Sequence, residues 1–142
     1  MNNQTELNVI EIPLQFFDSY NNHKIDKMLQ LFEENGEIIF QPLGGEGKGK
    51  VNELGQAIWS QLMHSFPNIS CNVLKTKIDE SENVICEVNF KGLQEDDFAG
   101  LENKGNSFDT DHVFVFKLNE NGQIKSLTVT WDHEDFCRQL SS

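Results

Sequence analysis

The sequence changes its hydrophobic period once, and that change limits the folds open to it. Up to about residue 66 apolar side chains recur every three or four positions; from about residue 69 onward they alternate. The first period is that of amphipathic helices, the second that of strands with one buried face. In the front half Val9, Ile10, Leu14, Phe16, Phe17 and Tyr20 form a broad helical face. Pro13 is tolerated within a first turn, so the regular helix is expected to start near it. A second short helix carries Ile25, Met28, Leu29 and Phe32 and is expected to stop at Asn35-Gly36. Glu37 to Gln41 reads as a short strand closed by Pro42 and glycines. Val51, Leu54, Ile58, Leu62 and Phe66 predict a third helix stopped at Pro67.

In the back half, residues 69–78, 84–93, 107–118 and 124–132 are rich in Val, Ile, Phe and Thr. Turn residues separate them at 79–83, around Asp96-Asp97 and Gly100, and at 119–122. Long strands joined by turns pair antiparallel, because parallel neighbours would need long crossovers. A last helix runs from Glu134 to Leu140. Helices first and a meander afterwards predict one α+β domain over residues 1–142.

Charge and cysteine usage exclude several functions. The formal net charge is −12 and no Lys/Arg cluster is present, which disfavours nucleic acid and anionic membrane as partners. The opening Met1 to Asn8 lacks a basic region followed by an apolar run, and no stretch is long enough to span a bilayer, so a cytoplasmic location is expected. Cys71, Cys86 and Cys137 have no CxxC spacing, which points to free thiols rather than a disulfide framework or zinc site. Gly44 to Lys50 satisfies Gly-x-x-x-x-Gly-Lys, but Val51 stands where a Mg²⁺-binding hydroxyl is needed. Nucleoside triphosphates are therefore rejected.

Several short pieces, in order, resemble a known family. They are Leu31-Phe32, Pro42 to Gly45 with Gly47 to Gly49, Ser65 to Ile69, Phe98 to Gly100 with Gly105, His112 to Phe116, Asn121 to Ile124, Trp131-Asp132, and Gln139-Leu140. Together they span residues 16–140 and are similar to the SnoaL-like polyketide cyclases of the nuclear-transport-factor-two-like superfamily. The resemblance implies a cone-shaped α+β barrel, its curved antiparallel sheet and three to four helices enclosing a mainly apolar pocket. It also implies a homodimer formed through the sheet. Fold alone does not set function, because the superfamily includes cyclases, isomerases, lyases, carriers and interaction modules.

Asp132 corresponds to the family's acidic residue at the end of the last long strand, which implies a general acid/base. Its position before a helix, with Asp135 three residues on, equally fits an N-cap. His112 shares a strand face with Thr110, Phe114 and Phe116 and is the second catalytic candidate. Tyr20, Gln41, Trp59 and Gln94 are expected, with Phe114 and Phe116, to line the pocket. Asp109 and Asp111 face the other way, and His23, His64 and His133 read as surface groups at helix ends. The expected function is binding of a small, mainly apolar molecule without metal or cofactor, with acid/base chemistry of cyclase, isomerase or lyase type on a carbonyl compound. The alternatives are a non-catalytic carrier or sensor and a dimerising interaction module.

Overall fold

Residues 3–142 are described by a computed structural model. Met1 and Asn2, part of the opening read above as leader-free, lie outside the described residues. The first helix, α1 (Asn3–Asn21), runs through Pro13 instead of starting there. A proline costs a helix one hydrogen bond and a steric clash, so something must hold the turns before it. Pro13 is itself buried, and Val9 and Ile12 pack on the core, so packing carries the helix past the break.

The helix α2 (Ile25–Gln30) is shorter than its spacing predicts, and the chain enters β1 (Phe32–Phe40) two residues later. Asn35-Gly36 is therefore inside a strand. Its register against the last strand slips between Phe32 and Glu37, so the pair marks a bulge rather than a helix end. A Cβ on Gly36 would stand 3.0 Å from the Phe32 ring and 3.2 Å from the Glu33 carbonyl, which is why glycine suits the bulge.

After β1 the chain makes 3-10 turns over Gln41–Gly47, kinked at Gly44, then the strand β2 (Lys48–Lys50). Gly47 lies so close to Phe40 that a Cβ would come within 2.3 Å of its carbonyl oxygen. The glycine run thus serves a tight backbone crossing, not a phosphate cradle. A π-helical turn, Val51–Gly55, leads into α3 (Gln56–Ser65). The meander follows as β3 (Ser70–Ile78), β4 (Val84–Leu93), β5 (Ser107–Leu118) and β6 (Ile124–Trp131), closed by α4 (His133–Ser141).

The six strands form one curved, unclosed sheet in the order β2-β1-β6-β5-β4-β3. Within the meander every pairing is antiparallel, as the turn-linked strands require. β1 instead pairs parallel to β6. Alternation along β4 and β5 buries Val84, Cys86, Val88 and Phe90 with Phe108, Thr110, Phe114 and Phe116 on the inner face. The core centres on Phe16, fully buried, whose ring touches those of Trp59 (5.6 Å between centroids) and Phe116 (5.4 Å), mostly edge to face. Among the described residues no helix is long and apolar enough to cross a membrane.

Candidate functional site

A cavity of about 160 Å³ lies between the sheet's inner face and α1, α3 and α4. Its walls are mainly aromatic, and among the described residues no Asp, Glu, Lys or Arg lines it. Tyr20, Trp59, Phe114 and His112, all expected at the pocket, line it. Gln41, Gln94, Phe116 and Asp132 do not.

His112 is set by the sheet. It projects from β5, with Trp131 opposite it on β6 and Phe90 diagonal to it on β4. These strands flank β5 on its two sides, so the imidazole is stacked between Phe90 (4.5 Å, 28°) and Trp131 (5.4 Å, 15°). Nε2 lies 2.9 Å from the Thr110 hydroxyl. Burial, only partly opposed by the Asp111 charge, pulls the His112 pKa down to about 4. The ring is therefore neutral at pH 7. Nδ1 makes no hydrogen bond among the described residues, and the residue lines the cavity. One nitrogen is fixed by the protein and the other has no protein partner among the described residues.

Tyr20 also lines the cavity, and its hydroxyl makes no hydrogen bond among the described residues. Burial, reinforced by the neighbouring Cys71, holds its phenol well above the ordinary value, so the hydroxyl stays a neutral donor. Its ring packs 5.4 Å from Phe90, which separates it from His112 by one aromatic side chain.

His133 is a correction: it lines the cavity instead of lying on the surface. The Trp131 indole donates to its Nδ1 at 3.2 Å, and Cys137 Sγ lies 3.5 Å from Nε2. An indole only donates, so Nδ1 must be unprotonated and Nε2 carries the hydrogen. Both nitrogens are thus engaged, and the residue braces Trp131. The signal is present in the sequence: His133, Phe136 and Leu140 recur at helical spacing and share a face of α4.

Asp132 is exposed and caps α4, accepting from the Asp135 amide at 3.0 Å. Its carboxylate belongs to the helix end. Asp132→Ala is expected to cost about 1 kcal/mol in urea denaturation, the usual loss of an N-cap. Ligand affinity should be unchanged, and Asp132→Ser should recover most of the stability.

Gln94, almost fully buried, braces the loop after β4. Its amide nitrogen donates to the carbonyls of Asp96 (3.0 Å) and Leu101 (2.9 Å). That loop brings Phe98 and Ala99 to the cavity wall, so Gln94 shapes the pocket without touching it. Gln41 is exposed and accepts from the Thr130 hydroxyl, tying the 3-10 turns to β6. Phe116 lies in the core behind the cavity, against Phe16 and Phe17. Asp109 and Asp111 stand on the outer sheet face, both accepting from the Asn89 amide.

Element order, the curved sheet and the cavity beneath the helices define a fold of the nuclear-transport-factor-two-like superfamily. The chain belongs to the SnoaL-like domain family, whose sequence model matches residues 14–127. Its structure is similar to that of a protein from Jannaschia Sp. CCS1 assigned as a SnoaL-like polyketide cyclase. The two are 20% identical with a TM-score of 0.83, over 96% of this chain and 93% of that one. A Xanthomonas campestris pv. campestris protein assigned as a polyketide cyclase is 14% identical with a TM-score of 0.84, over 95% and 98% of the chains. A Catenulispora acidiphila protein of ketosteroid isomerase-like fold, in complex with trimethylamine, is 13% identical with a TM-score of 0.73, over 92% of each. No curated protein matches the chain.

Proposed function

We propose that the protein binds one small, mainly apolar molecule in this cavity and hydrogen-bonds its polar group through His112 and Tyr20. The observation that carries the reading is a neutral imidazole in the wall of an apolar cavity, stacked between two rings, with one nitrogen unpaired among the described residues. A carbonyl oxygen held by the His112 Nδ1–H would be polarised by a neutral donor, which acidifies the adjacent C–H; with no carboxylate in the wall among the described residues, water would take that proton. Cyclase, isomerase and lyase reactions begin this way, and relatives assigned as cyclases favour that class. The chemistry would need no cofactor. His112 serves this role better as a donor than as a base, because a base works best with a pKa near the working pH.

A carrier or sensor is the second reading, favoured by the lack of a lining carboxylate among the described residues. A homodimer through the outer sheet face fits either; the exposed Leu93 and Val113 lie on that face, and light scattering tests it. Deuterium exchange of cyclohexanone α-protons, followed by NMR beside a calorimetric titration, separates the two readings. Saturable binding weakened at least tenfold by His112→Leu is expected. Catalysed exchange that His112→Leu abolishes supports the enzyme, and binding with no exchange supports the carrier. Binding indifferent to both His112→Leu and Tyr20→Phe would remove the site.

A further inference from the structure

Resting on the ligand-binding reading above, we propose that the ligand is an uncharged molecule built on a single ring with one polar substituent, such as a phenol, a cyclic ketone or an aromatic aldehyde. Fused polycyclic compounds and carboxylates fall outside this class. Volume is the first reason. An engineered apolar cavity of about 150 Å³ is filled by one benzene, whereas sites for drug-sized ligands span roughly 300–1,000 Å³. At about 160 Å³ this cavity belongs with the former.

The walls resist enlargement. Trp59 and Phe114 face the cavity on one side and pack on Phe16 on the other, at 5.6 and 6.2 Å between centroids. Moving either outward would displace the centre of the core, which is close-packed. Trp131 is held by its indole bond to His133, and the Phe98 loop by Gln94.

Charge is the second reason. An anion in an apolar cavity needs a partner of opposite sign, and no Lys or Arg lines this one among the described residues; a cation would meet ring faces but no carboxylate. His112 contributes Nδ1, unpaired among the described residues, and Thr110 already occupies Nε2. His133 has both nitrogens engaged. The remaining polar groups of the wall are the Tyr20 phenol and the amide of the exposed Gln61, so the cavity offers hydrogen bonds to a neutral substituent and no counter-charge.

The chain's two tryptophans, Trp59 and Trp131, both line the cavity, so their indole N–H signals in ¹H–¹⁵N spectra report its occupancy. Titration with phenol, cyclohexanone and benzene should shift both signals saturably, phenol binding at least tenfold more tightly than benzene. His112→Leu should erase that preference while leaving benzene bound. Anthrone, benzoate and tetramethylammonium should shift neither signal at tenfold higher concentration. Tighter binding of anthrone would overturn the size limit, and tighter binding of benzoate or tetramethylammonium would overturn the neutral class. Either result leaves the pocket reading intact. Silence of both signals toward benzene, phenol and cyclohexanone alike would instead defeat the ligand-binding reading itself, and this inference with it.

Discussion

Phe16→Ala is expected to remove about 3–5 kcal/mol of stability, the range for deleting a buried aromatic side chain. Domains of this kind hold roughly 5–15 kcal/mol in all, so the loss is a large part of the whole. The reason lies in the side chain's position. Phe16 is fully buried, and its ring meets those of Phe17, Tyr20, Phe32, Trp59, Phe114 and Phe116 at 5.2 to 6.3 Å between centroids. Neighbours on α1, α3, β1 and β5 cannot all collapse into the space it leaves. Thermal unfolding should shift down by about 10–15 °C for a chain of this size. Leu14→Ala, on the same helix at a position 45% exposed, should change stability by less than about 0.5 kcal/mol. A Phe16→Ala loss as small as that of Leu14→Ala would show that the aromatic cluster is not the organising core.

The second large effect is on acid stability, and it comes from His112. Its folded pKa of about 4 lies below the unfolded value of 6.5. Between these values the unfolded chain takes up a proton that the folded chain refuses. The stabilisation is therefore complete above pH 6.5 and is lost as pH falls toward 4. Its size is up to about 3 kcal/mol, since each tenfold difference in proton affinity between the two states is worth about 1.36 kcal/mol. Carboxylates elsewhere also titrate in acid, so the measurement is a difference: urea unfolding of the wild type and of His112→Leu at pH 7, 6, 5 and 4. The wild type should lose more stability than the variant across this window. Parallel curves would mean that the imidazole titrates freely and that the stack of Phe90 and Trp131 does not exclude water. A bound neutral ligand should protect the protein less at pH 4 than at pH 7, since it hydrogen-bonds the neutral ring.

Most of the inner sheet face is legible from alternation alone. His112 and Phe114 fall on one face because their period is two and the meander has no interruption between them. The N-cap reading of Asp132 is also available locally, from the helix that follows and the acidic residue three positions on. Where sequence and structure part, the reasons are identifiable. Asn35-Gly36 carries the same residues whether it ends a helix or permits a bulge; only the pairing with β6 decides. Pro13 marks a weak point in a helix, and whether the helix survives depends on what the preceding turn packs against. His133 looks peripheral beside a cap, although its spacing to Phe136 places it on the buried face. Gln41 and Gln94 show the limit for polar residues: a glutamine that lines a pocket and one that ties a nearby loop in place cannot be told apart until their partners are known.

The parallel seam between β1 and β6 has a consequence for how the chain must assemble. Ile38 pairs with Leu127 and Phe40 with Val129, so the first long strand waits for the last one. As the chain leaves the ribosome, β3, β4 and β5 each find a partner next to them in sequence, whereas β1 has only the three-residue β2. Joining such distant segments is slow, because loop closure precedes any reward from contacts. Until Ile124–Trp131 has been made, two strand edges stand open, one on β1 and one on β5, each a template for another molecule. The eight residues of β6 close both at once. Nascent chains that stall before them carry nearly the full complement of apolar side chains with nothing yet to join the halves.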